Sequence, residues 1–194
     1  MGSYARGEQT KKSDVDVLVI TGDTNGKIRR EKYEIILILE TILENNLKTN
    51  IISLFPMLKE AKTIINKGLV KKYISIKLNK KNLAWHVSTT KTALRVQKAF
   101  ISLAEIEREN ISDGIIYSLV LRLRGVYLVD CFKNNKKATN KGLRKLVRDL
   151  TNSEESYEAY LRSKLNEKEQ IIIKVEAVKK IYDYIEKKIK EQNG

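Results

Sequence analysis

The stretch Ser13-Asp14-Val15-Asp16-Val17-Leu18-Val19-Ile20 constrains this chain more than any other: an Asp-x-Asp pair opens an apolar run that reads as a strand. Side chains alternate faces along a strand, so Asp14 and Asp16 point the same way and Val15 is turned to the other side. Two carboxylates this close repel each other unless a cation sits between them. An oxygen-only pair suits Mg²⁺, which takes one or two carboxylates together with substrate phosphates. Ten residues separate this pair from Gly2-Ser3. Gly2 permits close backbone approach, and Ser3 begins a short helix whose free N–H groups favour an anion. Phosphate at the Gly-Ser turn and metal at the Asp pair together describe a nucleoside triphosphate site.

The run Gly2-Ser3-Tyr4-Ala5-Arg6-Gly7-Glu8, followed at this spacing by Asp14-Val15-Asp16, resembles the DNA polymerase beta-like nucleotidyltransferase superfamily. Within it, the wording is most similar to the minimal and kanamycin-nucleotidyltransferase-like branch. The resemblance is dense over residues 2–20, thin over 21–80 and architectural beyond. It implies an enzyme that uses Mg²⁺, two ions of it, to move a nucleoside monophosphate from an NTP to an acceptor hydroxyl. The acceptor would lie on RNA, protein or a small molecule, and ATP is the implied donor. The resemblance makes Asp14 and Asp16 catalytic and metal-holding, and Gly2, Ser3 and Arg6 nucleotide-binding. The family carries a strand before its Gly-Ser pair, whereas Met1 alone precedes it in this sequence. It also commonly has a third carboxylate on a later strand. The strand expected over Leu47–Phe55 holds Asn50 where that acid would stand, and a neutral Asn cannot deprotonate an acceptor. The other reading is a catalytically impaired module that binds nucleotide or RNA, for example the regulatory half of a toxin–antitoxin pair.

Charge is the second signal. The 194 residues carry a formal net charge of +14, with 42% apolar and 32% charged residues. Bases cluster: residues 61–104 hold ten Lys or Arg and residues 131–148 seven, and neither tract contains an acid. Mixed-sign surfaces are the ordinary solution, so acid-free tracts imply a polyanion such as RNA, or a partner protein. A membrane span is not expected. The most apolar stretch, Ile111 to Phe132, contains Asp113, Arg122, Arg124 and Asp130, and each charge near mid-membrane costs about 2.5–3.5 kcal/mol. The single Cys131 excludes an internal disulfide and suits a cytoplasmic chain.

The expected fold class is α+β: a small mixed-sheet nucleotidyltransferase domain over 1–82, lacking the first family strand, then an all-helical domain over 83–194 for acceptor binding or homodimerisation. The first part is expected to run strand Val15–Thr21, helix Ile28–Asn45, strand Leu47–Phe55 ended by Pro56, helix Met57–Asn66 and strand Tyr73–Leu78. The second part is expected to be helical over Thr92–Glu109, from Ser112 to Phe132, over Thr139–Leu150, from Ser153, and along the stripe Ile171, Val175, Val178, Tyr182, Ile185 and Ile189. Helical HEPN domains that accompany this family can use an Arg a few residues before a His. His86 has no such Arg, so that chemistry is not expected. Trp85 and His86 are expected to pack where the two domains join.

Overall fold

A β-branched run after an acid pair favours extended backbone, and the first strand forms as that rule requires. The computed structural model describes residues 1–11, 13–107, 110–165, 167 and 173–193. Contacts divide the chain into two units, Met1–Ala84 and Trp85–Gly194.

In the first unit, α1 (Gly2–Arg6) leads to β1 (Val15–Thr21), β2 (Gly26–Arg30) and β3 (Tyr33–Leu39). The sheet order is β1-β3-β2, with β1 parallel and β2 antiparallel to β3. The helix expected over Ile28–Asn45 is therefore two strands and the start of a helix. Its apparent 3–4 spacing came from Ile35–Leu39, a continuous apolar run. Such a run is what a central strand, flanked by neighbours on both edges, produces.

Helices α2 (Glu40–Thr49), α3 (Ile51–Glu60) and α4 (Lys67–Ile74) complete the unit. The strand expected over Leu47–Phe55 is instead the end of α2 and most of α3. Ile51, Phe55 and Leu58, spaced 4 and 3 apart, are all buried, and this burial holds α3 together although Pro56 lies inside it and lacks a hydrogen-bond donor. Asn50 is the junction between α2 and α3, with its N–H donating to the Asn46 carbonyl (2.7 Å). It therefore lies on no strand. The strand expected over Tyr73–Leu78 is also absent: Tyr73 and Ile74 end α4. Buried Tyr73 donates its hydroxyl to Glu40, and burial, followed by that bond, pushes the phenol up to about 12. A buried phenol and its acid partner override the local alternation that suggested a strand.

The division between units falls within α5 (Lys80–Glu107). The second unit continues with α6 (Asp113–Lys133), α7 (Asn140–Thr151), α8 (Glu155–Leu165) and α9 (Val175–Asn193). Helix α6 is its centre: Ile116, Leu119, Val120, Leu123, Val126 and Val129 are wholly buried, and α7, α8 and α9 pack around it. Thr139 caps α7 by accepting from the Gly142 N–H (3.0 Å), and the Ser153 hydroxyl accepts from the Glu155 N–H (3.1 Å) at the start of α8. The terminal stripe is core, but Ile181 rather than Tyr182 lies at its centre with Val178, Ile185 and Ile189. Ile171 lies outside the described residues. Trp85 is 60% exposed, so it does not pack as expected, whereas His86 is buried. A Cβ on Gly125 would come 2.6 Å from the His86 ring, so the missing side chain is what admits the imidazole. Among the described residues, no helix is long and apolar enough to cross a membrane.

Candidate active site

The parallel register of β1 and β3 sets Asp16 opposite Glu34, and the antiparallel register of β3 and β2 sets Glu34 opposite Arg29. Residues paired across a ladder share a face, so Asp16, Glu34 and Arg29 form one transverse row, with Lys27 two positions along β2 on that face. Asp14, just before β1, reaches the same side: its carboxylate accepts from Arg29 at 3.4 Å. Lys27 pairs with Glu34 at 2.5 Å, and the ammonium beside Glu34 holds its carboxyl below the usual carboxylate range. Both cations are largely exposed, so these pairs are weak and yield readily to a competing ligand. The same face carries buried Ile38, while Val19, Ile28 and Tyr33 on the other face are exposed.

The Gly-Ser turn abuts this row. Gly2 has φ +70°, and a Cβ there would lie 1.8 Å from Asp16 Oδ2. Only glycine lets the backbone approach the carboxylate so closely. The Met1 nitrogen donates to the Asp16 backbone carbonyl at 2.7 Å, which fixes the same approach from the main chain. Ser3 lies in the first turn of α1 and its carbonyl accepts from the N–H of Gly7, where the helix ends at φ 74°. Arg6 is committed elsewhere. It donates to Glu8 (2.7 Å) and to Glu60 on α3 (2.5 Å) with little exposure, so its guanidinium ties α1 to α3.

Gly2, Asp14 and Asp16 are thus brought together with Ser3 in the adjoining turn, Arg6 is turned to an ion-pair network, and Asn50 is not part of the row. Sequence reasoning missed Glu34, Lys27 and Arg29. A signal was present: Glu34 opens the apolar run Ile35–Leu39 just as Asp16 opens Val17–Ile20. Among the described residues, no group of three acids, histidines or cysteines is gathered tightly enough to hold a metal alone. The donor set still fits Mg²⁺, whose habit is one or two carboxylates completed by phosphates and water.

Residues 1–74 match the family model described as a nucleotidyltransferase domain. The match runs from α1 through the whole sheet to the last residue of α4 and leaves out the helical unit. No curated protein and no solved structure matches the chain. The family, the mixed sheet and the helical remainder agree with the α+β class and with the DNA polymerase beta-like superfamily. Nucleotidyl transfer is the general chemistry of that family, and an NTP is its generic substrate.

Proposed function

We propose that the N-terminal domain transfers a nucleoside monophosphate, AMP from ATP in the first instance, to an acceptor hydroxyl with release of pyrophosphate. The observation that carries this is the row Asp16–Glu34, with Asp14 on the same face and Gly2 pressed against Asp16. Asp14 and Asp16 would hold Mg²⁺, which neutralises charge on the α-phosphate and acidifies the attacking hydroxyl. Gly2 and Ser3, in the turn that abuts Asp16, would receive the β- and γ-phosphates. Lys27 and Arg29 occupy the carboxylates in the free protein and would turn to the triphosphate once it is bound, so charge stays balanced in both states. Glu34, set opposite Asp16 and released by Lys27 when the triphosphate binds, is placed to take the acceptor's proton. The acceptor oxygen bonds to the α-phosphorus, the bond to the bridging oxygen breaks, and its electron pair leaves with pyrophosphate. Positioning and electrostatics carry most of such a reaction, which explains how few side chains it needs.

The test is incubation of the full chain with α-labelled NTPs, Mg²⁺ and pools of RNA, protein and small hydroxylated acceptors. Label should move to one acceptor class, and Asp14→Asn or Asp16→Asn should each reduce transfer by on the order of a hundredfold or more. Transfer unaffected by both substitutions would sink the proposal. One observation favours a second reading, a nucleotide-binding regulatory module without turnover: Asp14 and Glu34 are both already paired with β2 cations. Saturable NTP binding with no transfer to any acceptor would decide for it.

A further inference from the structure

The acid-free tract 131–148 has a structural counterpart. Helix α7 buries Leu143 and Val147, so Lys141, Arg144, Lys145 and Arg148 all project from its exposed side. These four cations line an open hollow of about 730 Å³ together with Glu154 and Tyr157. Two of them are held in place. Arg144 donates to Glu154 at 2.6 Å and lies over the Tyr157 ring at 5.9 Å, and Arg148 reaches Glu154 at 3.5 Å. Tyr157 is itself buried against Tyr160, which stacks on Tyr117, so the floor under the cations is a packed aromatic cluster. The other two, Lys141 and Lys145, have no ion pair among the described residues. They stand one turn apart on the same face, a like-charge spacing that disfavours a helix until an anion relieves it.

We propose that this hollow is a binding site for the phosphate backbone of an RNA strand. The four cations outnumber the two carboxylates that reach them, Glu154 and, at Arg148 alone, Asp149 (3.8 Å), and they stand in two ridges whose members are offset by roughly 6 Å along the helix. A polyphosphate chain can occupy such a track with one phosphate per cation. An acidic protein is disfavoured, because no exposed large apolar residue lines the hollow to anchor one. The choice of RNA over DNA rests on the transferase reading, since RNA ends carry additional acceptor hydroxyls. The binding itself does not depend on that reading.

The experiment is fluorescence anisotropy of the full chain with a labelled mixed-sequence RNA 20-mer, across a salt series. The double variant Lys141→Gln/Lys145→Gln removes the two unpaired charges. Its melting temperature should be no lower than that of the wild type, because neither lysine has an ion pair among the described residues and their mutual repulsion is removed. Each lost phosphate contact on a single strand lowers the salt slope by about 0.7, so the pair should lower it by about 1.4, and the gap in affinity should widen about sevenfold between 200 and 50 mM salt. The control Lys180→Gln/Lys187→Gln on α9 removes the same net charge and should leave the slope unchanged. Equal loss in both variants would overturn the site in favour of a general charge effect. Displacement of RNA by polyglutamate at equal charge concentration, or binding of a DNA 20-mer in preference to RNA, would overturn the choice of ligand. RNA binding that persists in Asp14→Asn/Asp16→Asn supports the hollow even if transfer is never found.

Discussion

Gly2→Ala and Gly7→Ala form a matched pair that isolates the contact on which the proposed active site depends. The two glycines have nearly the same backbone, φ +70° and +74°, and a left-handed conformation costs an alanine about 1–2 kcal/mol. They differ in surroundings. At Gly7 an added Cβ meets nothing within 4 Å, whereas at Gly2 it would lie 1.8 Å from Asp16 Oδ2 and 2.8 Å from Asp16 Cγ. In Gly2→Ala the carboxylate must therefore retreat by more than about 1 Å, a displacement that typically costs on the order of a hundredfold in rate when it misplaces a reacting group. The left-handed backbone alone should cost each variant roughly 5–15 °C in Tm for a unit of this size, and the Asp16 contact should cost Gly2→Ala more. The assay is turnover with saturating NTP, well below both melting temperatures. Gly7→Ala should turn over as the wild type does, and Gly2→Ala about a hundredfold more slowly. If the two variants are equally active, the close approach of the turn to Asp16 has no catalytic meaning and the argument fails.

Glu34→Gln should depress transfer by about a hundredfold or more while leaving NTP affinity within a few-fold, as read from separate kcat and KM values; unchanged kcat would remove Glu34 from the reaction. The His86 imidazole is pushed down to about 4, chiefly by burial and further by the Arg122 charge. The folded state therefore resists protonation. Its contribution to stability is intact above pH 6.5 and is lost as pH falls toward 4, by up to roughly 3 kcal/mol. His86→Gln should flatten the fall in urea midpoint between pH 7 and pH 5 relative to the wild type, and an identical fall would contradict the burial argument. Gly125→Ala should destabilise the helical unit by about 1–3 kcal/mol through overpacking on His86. Adding His86→Ala should recover much of that loss, and strict additivity in the double variant would show that the contact does not matter.

The division between what the chain announced and what it concealed can be traced to individual residues. Strand β1, helices α6 and α7 and the start of α8 were legible because their signals are local: an acid pair before β-branched residues, a helix apolar on nearly all sides, a basic helical run from Thr139, and Ser153 ahead of two acids. The region 28–78 was not legible. Its apolar run serves strand β3 only because β1 and β2 flank it, and Ile51, Phe55 and Leu58 mark a helix only if Pro56 is allowed inside one.

The acid pair and the Gly-Ser bend belonged to the sequence alone, because residue type and spacing fix which side chains can share a strand face and where the main chain can turn. Which further side chains join them is a matter of register. Glu34 lies 18 positions from Asp16 along the chain, and only the parallel pairing of β1 with β3 makes them neighbours. The same holds for Arg6, whose partner Glu60 is 54 residues away. The partner of such a guanidinium is known only once folding brings a carboxylate to it, and long-range pairing of that kind leaves no local trace to read.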